Sequence, residues 1–142
     1  MKKIYFDMDG TIANLYGVDG WLEYLINRDT TPYEKALPMI NFSYLARLIH
    51  RLQNEGYAIG IISWTAKNST DEYNARIAET KKRWLKKHLP SVHFDEIHIV
   101  EYGTPKSTCG NGILFDDEEQ NRIEWNGTAY NVDRILEVLR NL

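Results

Sequence analysis

Four short apolar runs, each breaking off in polar or charged side chains, dominate this 142-residue chain. They are Ile4-Tyr5-Phe6, Tyr57-Ala58-Ile59-Gly60-Ile61-Ile62, Ile97-His98-Ile99-Val100 and Gly112-Ile113-Leu114-Phe115. Continuous apolar runs of this length are what parallel strands covered on both faces look like. Helical patterns separate them, so the chain reads as α/β, a central parallel sheet flanked by helices. The clearest helix opens at Asn41 as N-cap, carries Leu45, Leu48, Ile49 and Leu52 on one stripe, and stops at Gly56. A second opens at Ser69-Thr70-Asp71-Glu72, where Ser69 and Glu72 have capping-box spacing, and carries Tyr73, Ile77, Trp84 and His88. A third, Val132 to Arg140, buries Val132, Ile135, Leu136 and Leu139, with Thr128-Ala129-Tyr130 as a short last strand before it.

The residues that end each run carry the chemistry. The first run leads into Asp7-Met8-Asp9-Gly10-Thr11. Side chains two apart on extended backbone point the same way, so Asp7 and Asp9 project together and Met8 turns away. Two carboxylates this close repel unless a cation or a shared proton lies between them. Gly10 lets the backbone turn sharply straight afterwards. Such a pair suits a metal-dependent reaction in which one carboxylate attacks and the other moves a proton. The second run ends in Ser63-Trp64-Thr65, the third is followed by Thr104-Pro105-Lys106, and the fourth ends in Asp116-Asp117-Glu118-Glu119. Open α/β sheets bind ligands beyond the carboxyl ends of their strands. Acid pair, hydroxyl, lysine and acid pair are therefore expected to converge on one crevice. Thr65 competes with Ser63 for the hydroxyl role, and Glu118 and Glu119 read as the start of the next helix.

In this order, Asp7-Met8-Asp9-Gly10-Thr11, Ser63, Lys106 and Asp116-Asp117 resemble the four motifs of the haloacid dehalogenase (HAD) superfamily of phosphohydrolases. The match spans residues 7 to 117. The resemblance implies a single Rossmann-like domain over residues 1–142, acting through an aspartyl-phosphate on Asp7. It gives Asp9 the role of protonating the leaving oxygen and then deprotonating the attacking water. Ser63, or Thr65, would bind the phosphoryl group with backbone N–H groups near Trp64 and Thr65, and Lys106 would supply positive charge. A hard cation, Mg²⁺, would be held by the Asp7 side chain, the Asp9 carbonyl and Asp116, with Asp117 touching it or standing one layer out. The short insert, the helix Lys82-Arg83-Trp84-Leu85-Lys86-Lys87 and the strand end Leu114-Phe115-Asp116-Asp117 look like those of the 5′(3′)-deoxyribonucleotidases.

Residues 13 to 40 interrupt the β/α alternation and hold Tyr16, Trp21, Leu22, Tyr24, Leu25 and Tyr33 among turn residues. The stretch is too short for its own core and reads as a small helical lid over the strand ends. Tyr16 and Trp21 are its best candidates for stacking on a substrate. A net charge of −3 gives no reason to expect a nucleic-acid polymer as partner. The basic run Lys81 to Lys87 reads as a solvated helix end. Cys109 is the sole cysteine, which excludes an internal disulfide and fits a reducing, cytoplasmic setting. No stretch has the apolar length of a signal peptide or membrane span, and the four histidines show no metal-ligand spacing. The expectation is a Mg²⁺-dependent phosphatase of a small phosphorylated metabolite, first a nucleoside monophosphate. A sugar phosphate, another phosphorylated metabolite or macromolecule, and a non-catalytic binding protein on the same fold stay open.

Overall fold

The computed structural model describes residues 2–142. Among these residues thirteen strands and α-helices follow in order: β1 (Lys3–Phe6), β2 (Ala13–Asn14), α1 (Trp21–Ile26), α2 (Thr31–Lys35), β3 (Leu37–Pro38), α3 (Phe42–Asn54), β4 (Ala58–Trp64), α4 (Asp71–His88), β5 (Glu96–Val100), β6 (Ile113–Phe115), α5 (Glu119–Glu124), β7 (Thr128–Tyr130) and α6 (Ile135–Asn141). Five strands form one parallel sheet in the order β5-β4-β1-β6-β7, flanked by helices. This is an α/β architecture consistent with a Rossmann-like arrangement. The first strand of the chain lies in the middle, with Ile4 opposite Ile59 of β4 and Ile113 of β6.

Strand alternation divides the core. Ile4 and Phe6 join Leu45, Leu48, Ile49 and Leu52 of α3, Trp84 and Leu85 of α4, and Ile135 and Leu139 of α6. Tyr5 points the other way and packs with Ile62, Leu114 and Trp125. Asn41 caps α3 as its sequence suggests, its Oδ1 accepting the Tyr44 N–H at 3.0 Å, and Gly56 follows with φ +95°. Four expectations need correction. The last helix starts at Ile135 and not at Val132, because Val132–Arg134 form a 3₁₀ turn, and Val132 and Leu136 are only partly buried. The cap of α4 is Thr70, whose Oγ1 accepts the Tyr73 N–H, because the helix starts at Asp71, one residue later than a Ser69 cap requires. β5 is an edge strand, so Ile97 is 39 % exposed and the run is not covered on both faces. Lys81 is 1 % exposed and not part of a solvated end. It lies four residues after Ile77 and four before Leu85, on the stripe that faces inward, while Lys82, Arg83, Lys86 and Lys87 face solvent.

Residues 13 to 40 leave and rejoin the domain at one place, because Ala13–Asn14 pairs antiparallel with Leu37–Pro38. The segment is bound to α4 along its length. The Trp84 indole N–H donates to Ala36 O at 2.8 Å, the Tyr73 hydroxyl to Asp29 O at 2.6 Å, and Arg76 Nη2 to Arg28 O at 3.1 Å. Arg28 Nη2 in turn donates to Asn68 O. Among the described residues no helix is long and apolar enough to cross a membrane.

Candidate active site

Beyond the end of β1 the backbone folds on itself, with Met8 O accepting the N–H groups of Thr11, Ile12 and Ala13. Met8 is buried in the core, and Asp7 and Asp9 face a cavity of about 530 Å³. Gly10 is required twice over. Its φ is +80°, and a Cβ there would stand 2.5 Å from Asp117 Oδ2. The turn thereby lets the end of β6 close against the end of β1.

Lys106 ties those two strand ends together. It begins a short 3₁₀ turn, Lys106–Thr108, entered through Pro105, and its ammonium donates to Asp7 Oδ1 at 3.0 Å and Asp116 Oδ2 at 2.6 Å. At 1 % exposed it is a buried cation shared by two carboxylates. Burial opposes its charge, but Asp7 and Asp116 outweigh it and raise the Lys106 pKa above the usual lysine value.

Asp116 is fully buried, and the Glu118 N–H and the Asn121 side-chain amide donate to it. Asp117 is held through Thr11. The Asp117 N–H donates to Thr11 Oγ1, and that hydroxyl lies 3.2 Å from both Asp7 Oδ2 and Asp117 Oδ1. Burial, and then repulsion from Asp7, push the Asp116 carboxyl up to about 6. Burial and repulsion from Asp7 and Asp116 push that of Asp117 up to about 7. Carboxylate oxygens of Asp7, Asp116 and Asp117 lie within 4.8 Å of one another. Four clustered carboxylates, Asp7, Asp9, Asp116 and Asp117, face two buried ammonium groups, Lys81 and Lys106. This deficit of positive charge, with an all-oxygen donor set, fits a hard divalent cation. It does not by itself single out Mg²⁺.

Ser63, Thr65 and Trp64 at the end of β4 divide differently from the expectation. Ser63 is fully buried, accepts from Lys81 at 2.7 Å and is not part of the cavity wall. Thr65 is on the wall, and its Oγ1 is buried without a hydrogen-bond partner among the described residues. A buried orphan hydroxyl is costly unless a ligand completes it. The Thr65 N–H is taken by Val100 O, so it does not serve an anion in this state. Trp64 lines the cavity with its ring, its indole N–H held by Thr104 O.

Tyr16 and Trp21 both face the cavity and pack edge to face at 4.9 Å. A second aromatic pair, Trp64 and Tyr102, lines the same cavity with ring centroids 4.8 Å apart. Asp9 reaches the same space, and burial chiefly raises its carboxyl pKa above the usual range. Lys81 pulls the other way, and Asp7 adds to the rise. The structure thus gathers Asp7, Asp9, Thr65, Trp64, Lys106, Tyr16 and Trp21 on one cavity, sets Asp116 and Asp117 beside it, and leaves Ser63 behind. Sequence reading points to no role for Thr11 or Asn121, and Lys81, expected at a solvated helix end, belongs to the site instead. Thr11 sits inside the first motif, and the four-residue spacing from Ile77 to Lys81 to Leu85 was the available sign for Lys81.

No family model matches this chain, and a search of curated proteins returns no match. Among solved structures it is similar to a chain described as "Structure of Pnkp1/Rnl/Hen1 complex", at 18 % identity and a TM-score of 0.58. The alignment covers 93 % of this chain and 45 % of that one, so the chain spans less than half the length of the structure it matches. At that identity the likeness is one of fold: a parallel α/β sheet.

Proposed function

We propose that the chain is a Mg²⁺-dependent phosphatase of the HAD type, acting on a small phosphomonoester, with a nucleoside monophosphate as its best substrate. The observation that carries this reading is the Lys106 ammonium bridging Asp7 and Asp116 at one end of the cavity, within the Asp7-Asp116-Asp117 carboxylate cluster. Phosphate monoesters resist attack because their oxygens are negative and the alkoxide leaves poorly.

Asp7 forms the bond to phosphorus while the bond to the leaving oxygen breaks, and that oxygen takes its proton from Asp9. A raised Asp9 pKa supports its carrying that proton. Water then attacks the aspartyl-phosphate, gives its proton to Asp9, and frees Asp7 and phosphate. Thr65 donates its spare hydroxyl proton to a phosphoryl oxygen, and Lys106 offsets negative charge there. Asp7, Asp116 and the Asp9 carbonyl, with Asp117 beside them, would hold Mg²⁺, which when bound would supply Lewis-acid screening of negative charge. Residues 13 to 40 form a lid, with Tyr16 and Trp21 meeting the base or sugar, and the cavity volume is within the range of small-molecule sites.

The test is phosphate release from nitrophenyl phosphate and a panel of nucleoside and sugar monophosphates, with Mg²⁺ or with chelator. Release is expected only with metal, best with a nucleotide, and absent in Asp7→Asn while that variant remains folded by circular dichroism. Metal-independent release, or turnover by Asp7→Asn, would overturn the reading; a sugar phosphate ranked first would move the substrate and keep the chemistry.

A further inference from the structure

Among the described residues Lys81 is the one buried cation that the proposed chemistry leaves without a task. Its ammonium has three N–H donors and spends them on Asp9 Oδ2 at 2.8 Å, Ser63 Oγ at 2.7 Å and Trp64 O at 2.7 Å. No donor remains for a substrate, and Lys81 does not line the cavity that Asp9 lines. The Tyr33 ring covers it from the inserted segment, 5.2 Å away. A buried ion pair is a poor way to gain stability, since packed apolar side chains often serve as well. A leucine would fit the stripe between Ile77 and Leu85 at less desolvation cost.

We propose that Lys81 is a positioning residue for proton transfer: it anchors Asp9 through Oδ2 so that Oδ1 faces the leaving oxygen. This rests on the phosphatase reading. The anchor is three-sided. Ser63 and the Trp64 carbonyl fix the ammonium to the end of β4, and the ammonium fixes Asp9 at the end of β1. The hydroxyl of Ser63 thereby acts on the reaction at second hand, by holding the lysine. A carboxylate free to turn about χ2 would spend much of its time with its proton out of reach, and misplacement of about 1 Å can cost about 10²-fold in rate.

The experiment compares wild type, Lys81→Met, Asp9→Asn and the double variant on two Mg²⁺-loaded substrates. Nitrophenyl phosphate has a leaving group that needs no proton, and an alkyl phosphate has one that does. Lys81→Met is expected to lose about 10²-fold in kcat/KM on the alkyl ester and little in kcat/KM on nitrophenyl phosphate, because kcat/KM reports only the steps up to departure of the leaving group and not the later hydrolysis that Asp9 also serves. In the Asp9→Asn background it should cost nothing more, because it acts through Asp9. Equal losses on both substrates, or additive losses in the double variant, would overturn the inference alone. A wild type inactive on every ester would overturn the phosphatase reading and this inference with it. Should Lys81→Met not fold, Lys81→Arg keeps the charge but not three convergent bonds; it must show the same leaving-group selectivity or the inference fails.

Discussion

Thr11 Oγ1 receives the Asp117 N–H and has one proton for two carboxylate oxygens, on Asp7 and on Asp117. Thr65 has the reverse condition: a buried hydroxyl with no partner among the described residues. Thr65 lies on the cavity wall and Thr11 between two carboxylates, whereas Ser63 is buried and taken by Lys81. Thr65→Val is nearly isosteric and should raise KM for a phosphomonoester by about tenfold, the loss of one hydrogen bond to an anion. Ser63→Ala should leave KM unchanged and lower stability by about 1–3 kcal/mol, because it strips an acceptor from a buried ammonium. Steady-state kinetics and chemical denaturation of both variants separate the two roles. Asp7 and Asp116 directly follow apolar runs, Asp9 lies two residues beyond Asp7 on the same side, and Lys106 comes six residues after Val100, so their gathering at strand ends was legible. Ser63 and Thr65 were not separable, since which hydroxyl is occupied depends on a lysine arriving from another element.

At the scale of elements, α4 joins three regions. Its first half holds residues 13 to 40 through Tyr73 and Ile77, its middle reaches the strand ends through Lys81, and Trp84 and Leu85 enter the main core. Trp84→Ala should cost about 3–5 kcal/mol and also release Ala36 O, loosening the inserted segment. Trp84→Phe keeps most of the packing and loses the indole N–H. It should therefore show faster proteolysis within residues 13–40 with a smaller change in melting temperature. Helix α3 was legible in full because its stripe, its Asn41 cap and its Gly56 stop are all local. The character of α4 was not, because a basic run looks the same whether one of its members turns inward or not. β5 was read correctly as a strand and wrongly as covered, since coverage depends on the order of strands, which no local pattern carries.

For the whole molecule, the acid cluster sets how stability depends on pH. Asp116 and Asp117 hold their protons up to about 6 and about 7 in the folded chain, against about 3.9 for a free aspartate. Between those limits these two groups bind more protons in the folded state than in the unfolded one. Their contribution to stability is therefore fullest below about 4 and is lost as pH rises through about 7, while Glu96, held down at about 2, contributes in the opposite sense. A divalent cation that binds the ionised cluster reverses that loss. Thermal melts with chelator and with Mg²⁺ should show a larger gain from the metal near about pH 8 than near about pH 5. The central place of β1 bears on synthesis as well. Its partners in β4 and β6 emerge from the ribosome roughly fifty and one hundred and ten residues after it. At about 5–20 residues per second, β1 waits on the order of 5–20 s for its second neighbour. Asp7 and Asp9 thus travel on a nascent segment whose edges stay open until nearly all of residues 2–142 have been made, an interval in which a ribosome-bound chaperone has most to protect.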